Sequence, residues 1–306
     1  MTTKVFGHKA PDTDSTGSPI IWAWYLNEVK GSAAVPCLLG EPNTEAAFVL
    51  THFGLDKPQI ISDVDAGDKV VIVDTNNPAE LPASINAADI TAIIDHHKLV
   101  GGLETKGPID ITIRPLACTA TLMHDLIGED LDRAPDAIKG AMLACILSDT
   151  LEFRSPTTTD HDRAVCDRLA KDLGIDLSDL AQKMFEAKSD VSAFSEAELL
   201  RMDSKEYKVG TTGLRVSVLE TTAPAVVLAR KDALMAAMPA VATEDGADEV
   251  LLFVIDILNE QATLLVPNDT VKTIAEASFD CTVEGDTVVL PGVMSRKKQI
   301  IPNLKV

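Results

Sequence analysis

Basic residues are scarce in this chain: 27 lysines and arginines stand against 47 aspartates and glutamates, a formal charge of −20. That deficit argues against nucleic acid or an anionic membrane as partner unless a local basic patch compensates. Aromatic residues make up only 4% of the chain, little for a surface that stacks on single-stranded bases. Cysteines number five, at positions 37, 118, 145, 166 and 281, and form no CxxC pair. Neither a disulfide framework nor a cysteine-based zinc site is expected. No apolar run approaches the roughly 20 residues that cross a bilayer, and the first residues lack the basic-then-apolar pattern of a signal peptide. The expectation is a soluble protein of a reducing, cytoplasmic compartment.

Apolar residues are plentiful, at 46% of 306 residues, enough for a sizeable core in one large domain or two ordinary ones. Short β-branched runs alternate with amphipathic stretches over the first 190 residues. "TKVF", "AVPCLL", "QIIS", "KVVIVD" and "ITAIID" read as strands. "SPIIWAWYLNEVKG" reads as a helix with Ser18 as N-cap and Pro19 in its first turn, and "NTEAAFVLTHFG" as another. The alternation predicts an α/β fold with a parallel sheet in residues 1–188. Residues 189–195, within the polar "KSDVSAFS", read as a linker. Residues 196–306 read as a smaller α/β domain with a mixed sheet, in which "MDSKEYK" resembles a helix end.

Three apolar runs of the first domain end in similar chemistry. "TKVF" leads into "GHKAPDTDS", with His8, Asp12 and Asp14. "VVIV" ends at Asp74, and "AIID" runs into His96 and His97. A fourth run, "LACILSD", reads as a helix ending at Asp149. Ligand sites of open parallel sheets gather beyond the carboxyl ends of the strands. The topology therefore predicts one cluster of His8, Asp12, Asp14, Asp74, His96 and Asp149. Taken singly, "PDTD" is an ordinary turn and a lone histidine an ordinary packing residue. Together, so many carboxylates cannot all stay ionised without cations. Imidazoles beside carboxylates suit Mn²⁺ or Co²⁺ better than Ca²⁺. Six donors suit two ions sharing an aspartate, an arrangement that stabilises both the attacking and the leaving oxygen in phosphoryl transfer. His52, His124 and His161 lie in helical patterns and read as surface or packing residues.

In these residues the chain resembles a known family. "DHHK" at 95–98, "GHKAPDTDS", "VDTNN" at 73–77 and "LSDT" at 147–150 resemble the DHH phosphoesterases, and "SRKKQ" at 295–299 narrows the likeness to the manganese-dependent (family II) inorganic pyrophosphatases. The resemblance implies hydrolysis of pyrophosphate to two orthophosphates by hydroxide activated between two Mn²⁺ or Co²⁺ ions per subunit, with a further Mg²⁺ on the substrate. It assigns His8 and Asp12 to one ion, Asp14 and His96 to the other, Asp74 to both, and Asp149 close to both. His97 would face the leaving phosphate, with Asp95 behind the histidines. Asp14 and Asp74 would share in the catalysis. Lys205, Arg296 and Lys297 would clamp the phosphates in an interdomain cleft that closes about the linker. A homodimer joined through the first domain is also implied. Ala10, Thr75 and Asn77 depart from the family's usual "GHKNPDTDS" and "DHNE", which leaves metal preference and turnover open. Two other readings stand beside this one: a DHH-type oligonucleotide phosphodiesterase, which the lack of a "GGGH" segment disfavours, and a metal- or phosphate-binding regulatory module without turnover.

Overall fold

The computed structural model describes residues 2–306, which form two compact units, one running to Ala187 and the other Lys188–Val306. In the first unit the strands are β1 (Thr3–Phe6), β2 (Ala34–Leu38), β3 (Gln59–Ile60), β4 (Lys69–Val73), β5 (Asp89–Asp95) and β6 (Asp110–Ile113). They form one sheet in the order β3-β2-β1-β4-β5-β6, with every pairing parallel. The order reverses between β1 and β4, which makes that junction a topological switch point. Val70, Ile72 and Val73 on β4 are fully buried: Val73 faces the helices, while Val70 and Ile72 pack with Val64, Leu81 and Ile85 from loops and a 3-10 turn on the opposite face. Each such side chain contributes about 1.5–3 kcal/mol by leaving water.

The helices are α1 (Thr13–Trp24), α2 (Thr44–His52), α3 (Thr119–Ile127), α4 (Asp136–Thr150), α5 (Asp160–Leu173) and α6 (Leu177–Lys188). Helix α1 begins inside "PDTDS" and not at Ser18. The N-cap is Asp12, whose carboxylate accepts from the Ser15 N–H, and Pro19 lies within the helix. An interior proline costs about 3 kcal/mol, yet ten of the twelve residues of α1 are buried, and that packing outweighs it. The chain then widens into a π-helical turn, Tyr25–Val29. Gly17 lets α1 approach α4: a Cβ there would collide with Cys145 Sγ.

The second unit holds α7 (Glu196–Met202), β7 (Ser204–Val209), β8 (Thr212–Thr221), α8 (Pro224–Leu228), α9 (Lys231–Asp245), β9 (Glu249–Asp256), β10 (Gln261–Leu265), α10 (Asp269–Phe279) and β11 (Thr287–Pro291). Its sheet runs β11-β10-β9-β8-β7 and is mixed, with β8 and β9 parallel and the other pairs antiparallel. Residues 189–195 are tied into this unit. Ser189 Oγ accepts from Thr221 Oγ1, and Arg230 donates to the carbonyls of Val191 and Phe194. Among the described residues no helix is long and apolar enough to cross a membrane.

Candidate metal centre

The cluster assembles at the switch point. β1 delivers His8, the neighbouring β4 delivers Asp74, and β5 next to it delivers His96 and His97. The start of α1 brings Asp12 and Asp14, and the end of α4 brings Asp149. Asp74 leaves its strand at φ +57°, in the left-handed region. That turn presents its two oxygens in different directions: Oδ2 lies 3.4 Å from His8 Nε2, and Oδ1 lies 3.4 Å from His96 Nε2. His8 Nε2 is also 3.7 Å from Asp12 Oδ2, and His96 Nε2 is 4.0 Å from Asp149 Oδ2. Ligand atoms of His8, Asp12 and Asp74 lie within 4.8 Å of one another, and so do those of Asp14, His96 and Asp149.

Surrounding hydrogen bonds fix these side chains. His96 Nδ1 is 3.2 Å from the Leu116 carbonyl, an acceptor only, so Nδ1 carries the proton and Nε2 is left for the cluster. Asp14 accepts from Ser18 Oγ at 2.6 Å and from the Thr119 N–H at 2.7 Å. Thr119 Oγ1 reaches Asp74 Oδ1 at 3.2 Å. The buried Glu45 accepts from Thr13 Oγ1 and Ser148 Oγ, at 2.8 and 2.6 Å, joining the start of α1 to the end of α4. Buried Asp95 accepts from the His97 N–H and the Asn76 amide and lies 2.9 Å from His97 Nδ1. The His97 ring is half exposed.

Titration properties follow from this crowding. Burial opposes charge on His8, but hydrogen bonds to Asp12 and Asp74 push it up to about 10. His96 rises likewise to about 9 against burial, through Asp74 and Asp14. Burial and the Asp74 charge push Asp14 up to about 7. Burial, then Asp14, drives Asp149 well above the carboxylate range. Asp74 overcomes burial through its two histidines and sits at about 2.

The three basic residues expected at the phosphates, Lys205, Arg296 and Lys297, all belong to the second unit. The "SRKKQ" segment is a π-helical turn, Arg296–Ile300, in which Ser295 Oγ accepts from the Lys298 N–H and Gln299 Oε1 from the N–H groups of Met294 and Ser295. Arg296 is largely buried and bound to Asp203, through the backbone oxygen at 2.7 Å and Oδ1 at 2.8 Å. Lys297 is exposed. Lys205 is not at a helix end: it lies on β7, an edge strand whose outward side chains are polar, so its pattern lacks the apolar signal of a strand.

Family models match the chain in two parts: residues 2–149 fit the DHH family, N-terminal domain, and residues 182–306 the DHHA2 domain. A "Probable manganese-dependent inorganic pyrophosphatase" of Deinococcus radiodurans is 41% identical over 98% of this chain and 97% of its own length. The Lactobacillus acidophilus protein of the same name is 35% identical over 98% and 96%. The chain belongs to this family. The crystal structure of a "putative family II inorganic pyrophosphatase" from Methanococcus jannaschii superposes with a TM-score of 0.62 at 32% identity, covering 99% of this chain and 98% of that one. An exopolyphosphatase-related protein of Bacteroides fragilis, 13% identical with a TM-score of 0.53, shares the fold.

The residues present fit the manganese of the family name. Asp149 Oδ2 is buried with no hydrogen-bond partner in the protein, an acceptor that a cation would satisfy. The donors are carboxylates and imidazoles, a set suited to Mn²⁺. Burial keeps the nearby Cys118 and Cys145 thiols protonated, so thiolate does not compete. Several residues that fix the site were not anticipated from the sequence: Ser15, Glu45, Asn76 and Thr119. Only Ser18, four residues after Asp14 on a helix face, carried a local signal. The Glu45 and Thr119 contacts depend on the tertiary fold.

Proposed function

We propose that this chain is an inorganic diphosphatase that hydrolyses pyrophosphate to two orthophosphates with Mn²⁺ held by His8, Asp12, Asp14, Asp74, His96 and Asp149. The observation that carries the reading is the two-sided presentation of Asp74, one oxygen to His8 and the other to His96. It supports two ions sharing that carboxylate, His8 and Asp12 serving one, Asp14 and His96 the other, with Asp149 near both. Bound Mn²⁺ supplies Lewis acidity, which lowers the pKa of water and offsets phosphate charge. The overall reaction is attack of water on one phosphorus with cleavage of its bond to the bridging oxygen. Asp95 holds the His97 ring through Nδ1 and favours its protonated form, chiefly by that hydrogen bond. His97 can thus donate to the leaving phosphate. Arg296, braced by Asp203, and Lys297 and Lys205 supply charge for the phosphates; arginine does so with paired hydrogen bonds. A further Mg²⁺ accompanies the substrate. The reading includes a cytoplasmic location and a homodimer formed through the first unit, supported by the exposed Ile111 on edge strand β6.

The test is phosphate release in Mn²⁺ from pyrophosphate, a short oligoribonucleotide and an aryl phosphate. Release from pyrophosphate well above the other two is expected. Activity confined to the oligonucleotide would favour the phosphodiesterase reading, and binding without release the regulatory one.

A further inference from the structure

Outside the strand-end cluster, three more potential ligands meet where the last turn of α3 comes against the first turn of α5. His124 and Asp125 belong to α3 and His161 to α5. One ligand atom from each lies within 4.8 Å of the others. His161 Nε2 stands 2.7 Å from Asp125 Oδ1, and His124 Nδ1 stands 3.3 Å from the same oxygen. Arg114 holds the other oxygen, Oδ2, at 2.9 Å, so Oδ1 is the one turned to both rings. His124 Nε2 is buried with no hydrogen-bond partner. The nitrogen that faces the triad is Nδ1, so the proposed site would take His124 through Nδ1.

The spacing is fixed by the fold. Asp162, next to His161, is fully buried. It accepts from Thr121 Oγ1 of α3 at 2.6 Å and from the Ala117 N–H at 3.2 Å, and closes the capping box of α5 with Thr159. The two helix turns carrying the ligands are thus fastened to one another, as a preorganised site requires. His161 is 42% exposed, which leaves an entry path and room for water.

The donor set selects the ion class. Arg114 offsets the one carboxylate charge, which removes most of the attraction for hard cations such as Mg²⁺. Two imidazoles favour ions late in the divalent series over Mn²⁺. We propose that His124, Asp125 and His161 form a second cation site that takes Zn²⁺, separate from the strand-end cluster.

The experiment uses the full chain, saturated with Mn²⁺ and then dialysed against Zn²⁺. Wild type, His161→Ala and His161→Gln are compared by counting zinc per chain. Any exchange into the strand-end cluster is common to all three, so the difference isolates the proposed site. Wild type should bind one more zinc per chain than either variant, or bind it at least about tenfold more tightly. A second readout needs no variant: in protein with ¹⁵N-labelled histidines, Zn²⁺ should shift the ring nitrogens of His124 and His161 and leave those of His52, which packs on Phe48 and Phe53, in place. Equal zinc in all three proteins, or unmoved His124 and His161 resonances, overturns the proposal.

Discussion

Without a cation, Asp74 is flanked by histidines that hold protons to about 10 and about 9. Neutral imidazole is the form that binds metal, so Mn²⁺ must displace those protons near pH 7. Metal affinity should therefore rise with pH between 6 and 9, by up to about tenfold per unit for each proton displaced. Titration calorimetry in buffers of different ionisation enthalpy should show net proton release; none would contradict the assignment of His8 and His96. Stability moves the other way. Asp14, at about 7, binds its proton more tightly folded than unfolded, and Asp149 shifts in the same direction. The Asp14 contribution is full below the ordinary carboxylate range and is lost as pH rises through about 7, and the Asp149 contribution falls with rising pH in the same sense. The raised histidines add a loss that is complete only above about 10. The metal-free Tm should thus fall from pH 5.5 to 8, and Mn²⁺ should flatten that slope. Asp149→Asn should raise the metal-free Tm at pH 8 while removing metal-dependent turnover.

Among the elements, α1 and α4 meet at the cluster, and Glu45 of α2 fastens both. Glu45→Ala removes the acceptor for two buried hydroxyls, which costs about 1–3 kcal/mol and frees the segments carrying Asp12, Asp14 and Asp149. Mn²⁺ affinity should fall by about tenfold or more, measured by equilibrium dialysis, with Glu45→Gln closer to wild type because it keeps one acceptor. Affinity unchanged in Glu45→Ala would remove this fastening role. The elements also show where sequence reading reached and where it stopped. Strands ending in His8, Asp74 and His96 were legible because β-branched runs stop abruptly at polar residues. The start of α1 was not: Pro19 suggested a first turn, whereas the Asp12 cap and burial carry the helix across it. β7 escaped because an edge strand with polar outward residues lacks an apolar period, and β6 because the preceding residues, 99–108, hold three glycines and a proline and no periodicity. The triad His124, Asp125 and His161 was out of reach, since its members are joined only by the packing of α3 on α5.

Across the whole molecule, acidity and edges govern association. The charge of −20 keeps copies apart unless an apolar patch draws them together. Ile111 on β6 is 55% exposed, and Leu99 and Val100, just after β5, are exposed as well. An unpaired, apolar edge strand favours pairing with another chain. Sedimentation should give a mass near twice 32.7 kDa, and Ile111→Lys should shift it toward the monomer; a monomeric wild type would contradict the dimer. In the second unit, Lys297→Ala should lower kcat/KM for pyrophosphate without changing Mn²⁺ affinity. The most direct measurement of all is the initial rate of phosphate release from pyrophosphate against Mn²⁺ concentration, for wild type and Asp74→Asn. Wild type should show saturable, Mn²⁺-dependent hydrolysis, and neutralising the shared carboxylate should cost at least about a hundredfold, the scale of removing one preorganised electrostatic group. Hydrolysis in wild type that needs no divalent cation, or full activity in Asp74→Asn, would contradict this expectation.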